Sequence, residues 1–395
     1  MTASVIVSAV RTPFGKFLGS LSGKTAVELG GLAIQAALEG AGVGTEAVDG
    51  VYMGTVLQAG QGQIPSRQAA RLAGLPWETP SLTINKVCAS GMRAITLSDA
   101  LIRAGDMRVA VAGGMESMSN APYALTGARE GYRMGHGQVL DLMLVDGLTC
   151  AFHNKHMAIH GSEAALKYGV TRADQDAFAL RSHERAIAAI DSGAFASEMV
   201  PVPVRIGKED KVVAEDEAPR RDTSLEKLAR LKPVFQADGT VTAGNAPGVN
   251  DGASAVVVMD EDYAVQHGYK PLARILGYAE VGTEAAMLAV TPALAVQKLL
   301  AKTGRRLDEV DQIEINEAFA AVPLITAKIL DCDLEKINLG GGAVALGHPI
   351  GASGARIVTT LIHQLRRRGG GLGIAAICSG AAQGDAILLE VLGEA

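Results

Sequence analysis

Cysteine is scarce in this chain, with four residues among 395: Cys88, Cys150, Cys332 and Cys378. Four are too few for a disulfide scaffold, and none stands in the close pairs that zinc sites use. The sequence therefore predicts free thiols, a reducing cytoplasm and no metal. Long basic runs are missing too, and the net charge is −6, which argues against a nucleic-acid partner. No stretch reaches the eighteen or so apolar residues that span a bilayer, so no membrane association is expected. Met1–Arg11 lacks a basic segment followed by a long apolar run, so no secretory signal is expected either. Glycine-rich loops occur, but none carries the Lys-Ser/Thr of a nucleotide phosphate loop. Gly369-Gly370-Gly371-Leu372-Gly373 precedes an apolar run instead of following one, which makes it a poor dinucleotide fingerprint.

What the chain has in excess is glycine, 47 of 395 residues, about 12% against a usual ~7%. The clusters Gly340-Gly341-Gly342 and Gly369-Gly370-Gly371 predict tight turns or backbone lying against a ligand. The length suits two or three domains. Hydrophobic periodicity predicts strands at Val5–Val10, Leu82–Asn85 and Val109–Ala112, the last ending at Gly113-Gly114, with helices at Val27–Leu38 and Met92–Arg103. A second series follows: strand Gln312–Ile315, helix Ala318–Leu330, strand Ile337–Leu339, helix Ala352–Arg367, then strands Ile374–Ile377 and Ala386–Leu392. Alternation of this kind predicts an α/β fold with a mainly parallel sheet. Ala89-Ser90-Gly91 opens one helix and Ala352-Ser353-Gly354 its counterpart, so the two series read as an internal duplication with their reactive turns facing each other. Between them, roughly Asn120 to Asn250, the composition changes to an inserted lid or binding region. It contains a helix at Arg172–Ile190 and a locally basic stretch, Arg220, Arg221, Lys227, Arg230 and Lys232. Those charges suit either a solvated face or an anion site for a phosphorylated cofactor.

Four places can carry chemistry. Cys88 stands at a strand-to-helix turn, where helix N–H groups would lower a thiol pKa from ~8.5 toward ~7 and make a nucleophile; a buried structural cysteine is the other reading. His348, set among glycines, suits a base for Cys88 or a core histidine. Cys378 closes a strand before Ser379-Gly380-Ala381-Ala382 and reads as an acid/base thiol or a strand end. Asn316-Glu317 follows a strand; Asn316 either orients a water or caps the next helix, and Glu317 either acts as a base or answers the helix dipole.

Taken together these segments resemble the thiolase family over essentially the whole chain. Asn85-Lys86-Val87-Cys88-Ala89-Ser90-Gly91-Met92 is similar to the family's nucleophile motif, and Asn316-Glu317-Ala318-Phe319-Ala320 to its asparagine motif. The run from Gly341 to Gly354 through His348 is similar to its histidine motif, Cys378-Ser379-Gly380 to its second cysteine, and Thr240–Asn245 to a further stretch near the cofactor. The resemblance implies a duplicated five-layer α/β/α/β/α fold with an inserted loop domain. Residues 1–119 would form one half, completed by about 250–270; residues 120–249 would bind CoA and make oligomer contacts; residues 271–395 would form the other half.

It implies further that Cys88 holds the acyl group with His348 as its base, and that Cys378 exchanges a proton with the α-carbon of the second substrate. One oxyanion hole would come from His348 with a water on Asn316, the other from the N–H groups of Cys88 and Gly380. CoA would lie near Leu148, His156, Met157, Arg220, Phe235, Ala243 and Phe319. CoA and acyl-CoA are then substrates or products, with no separate cofactor. Asn120–Leu140 is similar to the family's tetramerisation loop, which implies a homo-oligomer, dimer or tetramer.

The sequence departs from the family pattern in three places. Ala381 and Ala382 replace glycines after Gly380, Pro247 stands where a serine is common, and Met287-Leu288-Ala289-Val290 replaces a Met-Gly-x-Gly-Pro stretch near the acyl pocket. The expected activity is acetyl-CoA C-acetyltransferase, in fatty acid metabolism. The alternatives are a 3-ketoacyl-CoA thiolase of broader chain length and a non-catalytic acyl-CoA-binding subunit of the same fold. A decarboxylating ketoacyl synthase fits less well, because its second histidine is not evident whereas Cys378 is.

Overall fold

The protein is described by a computed structural model covering residues 3–393. The first half contributes β1 (Ser4–Arg11), α1 (Ala26–Ala41), β2 (Gly50–Gly54), β3 (Ser81–Ile84), α2 (Ser90–Ala104) and β4 (Val109–Ser117). A long insertion carrying α3 (Met157–Lys167) and α4 (Arg172–Asp191) precedes β5 (Asn250–Asp260). The second half comprises β6 (Ala273–Gly282), α5 (Thr291–Thr303), β7 (Gln312–Ile315), α6 (Ala321–Leu330), α7 (Ser353–Arg367), β8 (Gly370–Ser379) and β9 (Gln383–Leu392).

Strand order makes the internal repeat explicit. The first half runs β3-β2-β4-β5-β1. The second runs Ile337, bridged to Ile313 of β7, then β7-β8-β9-β6. Numbered within each half, both orders are third, second, fourth, fifth, first. The two first strands pair edge to edge, Ser4–Ile6 against Ala273–Ile275, and join the half-sheets.

The sheet is mixed, not mainly parallel as the alternation predicted. β2 pairs parallel with β3 and β4, and β7 with β8, but the fifth and first strands of each half run antiparallel to their neighbours. The cause is local. β8 and β9 are joined by three residues, Gly380–Ala382, too few for any crossover.

Helices α2 and α7 pack against each other and against both half-sheets, while α1 covers the outer face of the first and α5 with α6 the outer face of the second. Three apolar cores fill the gaps between these five layers. α1 illustrates why the elements form. Thr25 and Glu28 make a reciprocal capping box, Leu29, Ala33, Ile34 and Leu38 are buried, and Gly42 in the left-handed region ends it. The apolar run Ala285–Thr303 has the length and mean hydropathy (1.3) of a membrane span. It is kinked at Met287, and Leu288, Val290, Val296 and Leu299 lie in the second-half core.

Several boundaries differ from the sequence reading, and one difference is informative. β4 does not end at Gly113-Gly114 but continues to Ser117. A Cβ on Gly114 would stand 2.0 Å from the Gly351 carbonyl oxygen, so this glycine marks where the His348 loop presses on the strand. Helix α6 starts at Ala321 rather than Ala318, Ile337–Leu339 reduces to a single bridge, and β8 starts within the glycine cluster at Gly370.

Candidate active site

A cavity of about 330 Å³ opens where the two halves and the insertion meet. Cys88, His348 and Gly380 line it, with Leu148, His156, Met157, Phe235, Ala243 and Phe319. Nine of the twelve residues expected from the sequence therefore share one space. Arg220 lines a neighbouring cavity of about 320 Å³, which also touches Ala243, Gly248 and Val249 of the first. Cys378 and Asn316 are fully buried and reach neither wall.

Cys88 is held by a strained, braced turn. Val87 takes a φ of 45°, costly for a β-branched residue. Ser90 at the start of α2 accepts from the Lys86 N–H at 2.8 Å and donates to the Val87 carbonyl at 2.6 Å. Lys86 pairs with Asp385 at 2.7 Å and with Glu280, tying the turn to the second half. Ser379 donates to the Lys86 carbonyl.

The expected helix-start activation of Cys88 is not what the geometry gives. α2 begins at Ser90 with Ala89 as its cap, so Cys88 stands outside the first turn. Burial pushes its thiol up to about 12, against the Gly380 N–H and its own N–H, which favour the thiolate; the Glu116 carboxylate adds to the rise. The resting residue is a neutral thiol.

His348 complements it. Its backbone N–H donates to Asn250 Oδ1 at 2.8 Å, fixing the loop. Ser353 Oγ lies 2.6 Å from Nδ1 and also 2.9 Å from the Pro349 carbonyl. The carbonyl can only accept, so the serine hydrogen points there and its oxygen accepts from Nδ1–H. That tautomer leaves a lone pair on Nε2, which is buried and has no hydrogen-bond partner. Burial, with some help from the Arg356 charge, brings the imidazole down to about 3. A neutral imidazole can take a thiol proton as the sulfur attacks; an imidazole–thiolate ion pair is not the resting state.

Asn316 is the second unpartnered group. Neither its Nδ2 nor its Oδ1 makes a hydrogen bond, at a cost of about 1–3 kcal/mol for each buried orphan. The capping alternative is excluded, because α6 starts five residues later with Ala320 as its cap. Glu317 accepts from Ser182, Asn338 and the Val344 N–H, and Gly342 packs on it, so it knots the core and is no base for the cavity. Cys378 is the last residue but one of β8, its thiol pushed far up by burial and further by the charge of Cys88, so the two sulfurs lie within electrostatic reach.

The sequence did not single out Glu116. It accepts from the Thr55 hydroxyl and from the N–H groups of Val56, Leu57 and Gly351, clamping the Thr55–Leu57 loop to the turn after His348. Burial raises it to about 7 against those four donors. The remaining wall is apolar and also went unnamed: Met118, Met143, Leu144, Val234, Val249 and Ile350. Met143 and Leu144 belong to the π-helical turn Met143–Leu148, a local geometry frequent at functional sites. His156 stacks on Phe235 with centroids 3.6 Å apart, a flat mouth to the cavity. Of the basic stretch, Arg221 and Lys227 are engaged with Asp191 and Asp222.

Comparison with known proteins gives the same outline. Residues 4–262 match the family description Thiolase, N-terminal domain, and residues 269–391 match Thiolase, C-terminal domain. The chain is 50% identical over 393 residues to an acetyl-CoA acetyltransferase of Escherichia coli (strain K12), covering 99% of this chain and 100% of that one. An acetyl-CoA acetyltransferase of Pseudomonas aeruginosa is 49% identical, with 98% of each covered. The crystal structure of the Bacillus anthracis acetyl-CoA acetyltransferase superposes with a TM-score of 0.97 at 43% identity over 99% of both chains.

Proposed function

The chain belongs to the thiolase family, and from that premise we propose that it is an acyltransferase joining two acetyl-CoA molecules reversibly into acetoacetyl-CoA and CoA. The observation that carries this reading is the pairing, in one apolar cavity, of the Cys88 thiol with an unpartnered His348 Nε2.

In the first half-reaction the Cys88 sulfur attacks the acetyl carbonyl while its proton passes to Nε2. The N–H groups of Cys88 and Gly380, which already favour negative charge at this sulfur, suit the oxyanion; a donor of this kind contributes about 3–4 kcal/mol. Collapse expels CoA, which takes the thiol proton of Cys378, and leaves acetyl-Cys88 beside a protonated His348 and a Cys378 thiolate. Condensation then needs a base for the α-carbon of a second acetyl-CoA. That role goes to Cys378 as thiolate; its buried setting makes such a thiolate a strong base, suited to a weak carbon acid. The enolate carbon attacks acetyl-Cys88, Cys378 keeps the α-proton, and the released Cys88 sulfur regains its own proton from His348. His348 Nε2, still carrying the proton taken from Cys88, and a water held by the free amide of Asn316 suit the enolate oxygen. Arg220, beside the cavity mouth, suits a phosphate of CoA, within an insertion at 120–249 that we assign to CoA binding.

We also propose a homotetramer working in the cytoplasm. The hairpin Tyr123–Leu125/Val139–Asp141 presents Tyr123, Leu125, Met134 and Val139 to solvent, Met134 at 98% exposure, an apolar patch suited to a subunit contact. Light scattering at micromolar concentration tests it, and a monomer would overturn it.

The mechanism is tested on two cysteine variants. Cys378→Ala is expected to retain a burst of acetyl-enzyme, read by intact mass after mixing with acetyl-CoA, while steady-state thiolysis of acetoacetyl-CoA drops by orders of magnitude. Cys88→Ala is expected to lose both. Near-normal turnover in Cys378→Ala would falsify the two-cysteine scheme. Running longer 3-ketoacyl-CoAs beside acetoacetyl-CoA decides chain length, and no thiolysis of any of them would leave a binding subunit.

A further inference from the structure

The hairpin that leads into the cavity wall carries a second cluster of reactive side chains, separate from the first. Thr149–Cys150 pairs with Lys155–His156, and α3 starts directly at Met157. This geometry brings Cys150 and His153 from the hairpin against His160 one turn into the helix, with one ligand atom of each within 4.8 Å of the others. None of the three lines the cavity. Cys150 and His160 are buried, and His153 is at the surface.

Hydrogen bonding fixes which nitrogens face inward. His160 Nδ1 lies 3.0 Å from Glu163 Oε2, and His153 Nε2 lies 3.3 Å from Glu284 Oε1. Each carboxylate accepts a ring N–H, so the other nitrogen of each ring keeps a lone pair. Those two nitrogens, His153 Nδ1 and His160 Nε2, stand 3.3 Å apart, with Cys150 Sγ 3.9 Å from the former. Two lone pairs facing each other at that distance repel unless a cation lies between them. A proton serves one nitrogen pair but leaves the thiol idle; a metal ion uses all three. In a tetrahedral zinc centre, with bonds of about 2.0–2.1 Å to nitrogen and 2.3 Å to sulfur, two nitrogens stand about 3.3 Å apart and nitrogen and sulfur about 3.6 Å. The His153–His160 spacing of 3.3 Å equals the first, the Cys150–His153 spacing of 3.9 Å is a little longer than the second, and all three ligand atoms lie within 4.8 Å. Its carboxylate–histidine pairs are the outer contacts that orient ring ligands and raise their basicity.

We propose that Cys150, His153 and His160 form a binding site for a borderline divalent metal ion, zinc foremost, with a fourth position open to solvent beside His153. One thiolate and two imidazoles favour zinc over magnesium or calcium, which take oxygen donors. The ion would pin the hairpin whose last residue, His156, stacks on Phe235 at the cavity mouth. Its effect on catalysis is therefore expected in KM for the CoA substrate more than in kcat. The sequence expectation of no metal rested on the want of paired cysteines. Here the ligands are one cysteine and two histidines, as Cys150-x2-His153-x6-His160, a spacing that rule does not cover.

The test is zinc binding to chelator-stripped full-length protein, measured by competition with a chromogenic chelator and by metal analysis after gel filtration. Cobalt substitution reports sulfur ligation through a thiolate charge-transfer band. Wild type should bind stoichiometrically. Cys150→Ser and His160→Ala should each weaken binding at least tenfold, and Cys150→Ser should abolish the cobalt–thiolate band. Glu163→Gln should weaken it about tenfold. His153→Asn, at a surface position that leaves the core intact, guards against misfolding of the buried variants and should weaken binding too. Cys88→Ala should bind as wild type does. Substoichiometric binding to wild type, unchanged affinity in Cys150→Ser and His153→Asn, or loss of binding in Cys88→Ala would each overturn the proposal.

Discussion

The two helices of the middle layer begin alike and serve different ends. α2 opens with Ala89-Ser90-Gly91 after Cys88, and α7 with Ala352-Ser353-Gly354 after His348. In both, the serine hydroxyl donates back to a carbonyl of the preceding turn, Val87 in one and Pro349 in the other. What the oxygen accepts differs. Ser90 accepts the Lys86 backbone N–H and braces the Cys88 turn, whereas Ser353 accepts His348 Nδ1–H and sets the tautomer of that imidazole. The glycines differ less. A Cβ on Gly91 would lie 2.8 Å from the Ala355 nitrogen, and one on Gly354 would lie 2.6 Å from the Met92 nitrogen, so each lets the other helix start approach. Duplication supplied one brace twice, and in the second half the brace has a side chain to orient.

The strongest way to break this symmetry is to wedge it. Gly354→Val puts carbon where the Met92 backbone stands. It should cost about 3 kcal/mol of stability by overpacking and, by shifting Cys88 from His348, about 100-fold in acyl-enzyme formation. Denaturant titration and mass spectrometry read the two effects; wild-type acylation would mean the helix starts do not set the cysteine–histidine geometry.

The two serines sharpen the contrast. Ser353→Ala should lower kcat about 10–100-fold with KM little changed, since an imidazole free to flip loses the Nε2 lone pair from the cavity. Ser90→Ala should cost about 1 kcal/mol of stability and less than tenfold in kcat. Equal losses of kcat would erase the distinction.

The pH dependence of stability tests His348 alone. An unfolded imidazole titrates near ~6.5, and His348 in the fold is brought down to about 3. Below about pH 6.5 the unfolded chain thus binds a proton that the folded chain refuses, so stability falls with pH across this window, by up to ~1.4 kcal/mol per pH unit. The stability of wild type relative to His348→Asn should decline as pH drops from about 7 to 5. Glu116 and Glu314, raised to about 7 and about 8, act in the opposite sense but are common to both proteins and cancel in the difference. A difference independent of pH would mean that the imidazole is not held neutral by burial.

The smallest effect concerns how the halves close. β4 reaches β5 through the long insertion, but β8 reaches β9 through Gly380-Ala381-Ala382, with Ala381 and Ala382 at φ of 61° and 50°. Ala381→Gly should relieve left-handed strain and stabilise by about 1 kcal/mol, as thermal unfolding would register; destabilisation would show that the alanine methyl has a packing role.

Much of this was legible in the sequence because it rested on local pattern. The apolar spacing in α1, the Ala-Ser-Gly helix starts and the motif positions of Cys88 and His348 needed no tertiary knowledge. What failed depended on distant partners. Gly113-Gly114 read as a strand end because a glycine pair gives no sign of the Gly351 carbonyl that presses on it. β5 was not read as a strand from its own residues, although the resemblance assigned about 250–270 to the first half, because its partners, β1 and β4, lie more than a hundred residues earlier. The thiol of Cys88 was expected low from its nearness to a helix start, whereas the apolar walls that raise it come from the insertion and the second half. Asn316 looked like a cap until α6 proved to start beyond it.

The edge pairing of β1 has a consequence for how the chain is made. The Ser254 hydroxyl donates to the Val10 carbonyl across 244 residues, and β1's other neighbour, β6, follows later still. At a synthesis rate of about 5–20 residues per second, the opening strand waits roughly 12–50 s on the ribosome for the first strand that flanks it along its length. During that time a segment as apolar as Val5-Ile6-Val7 is open to wrong partners. Nascent chains arrested before residue 250 should therefore bind holdase chaperones, and release should come only once β5 and β6 have cleared the exit tunnel.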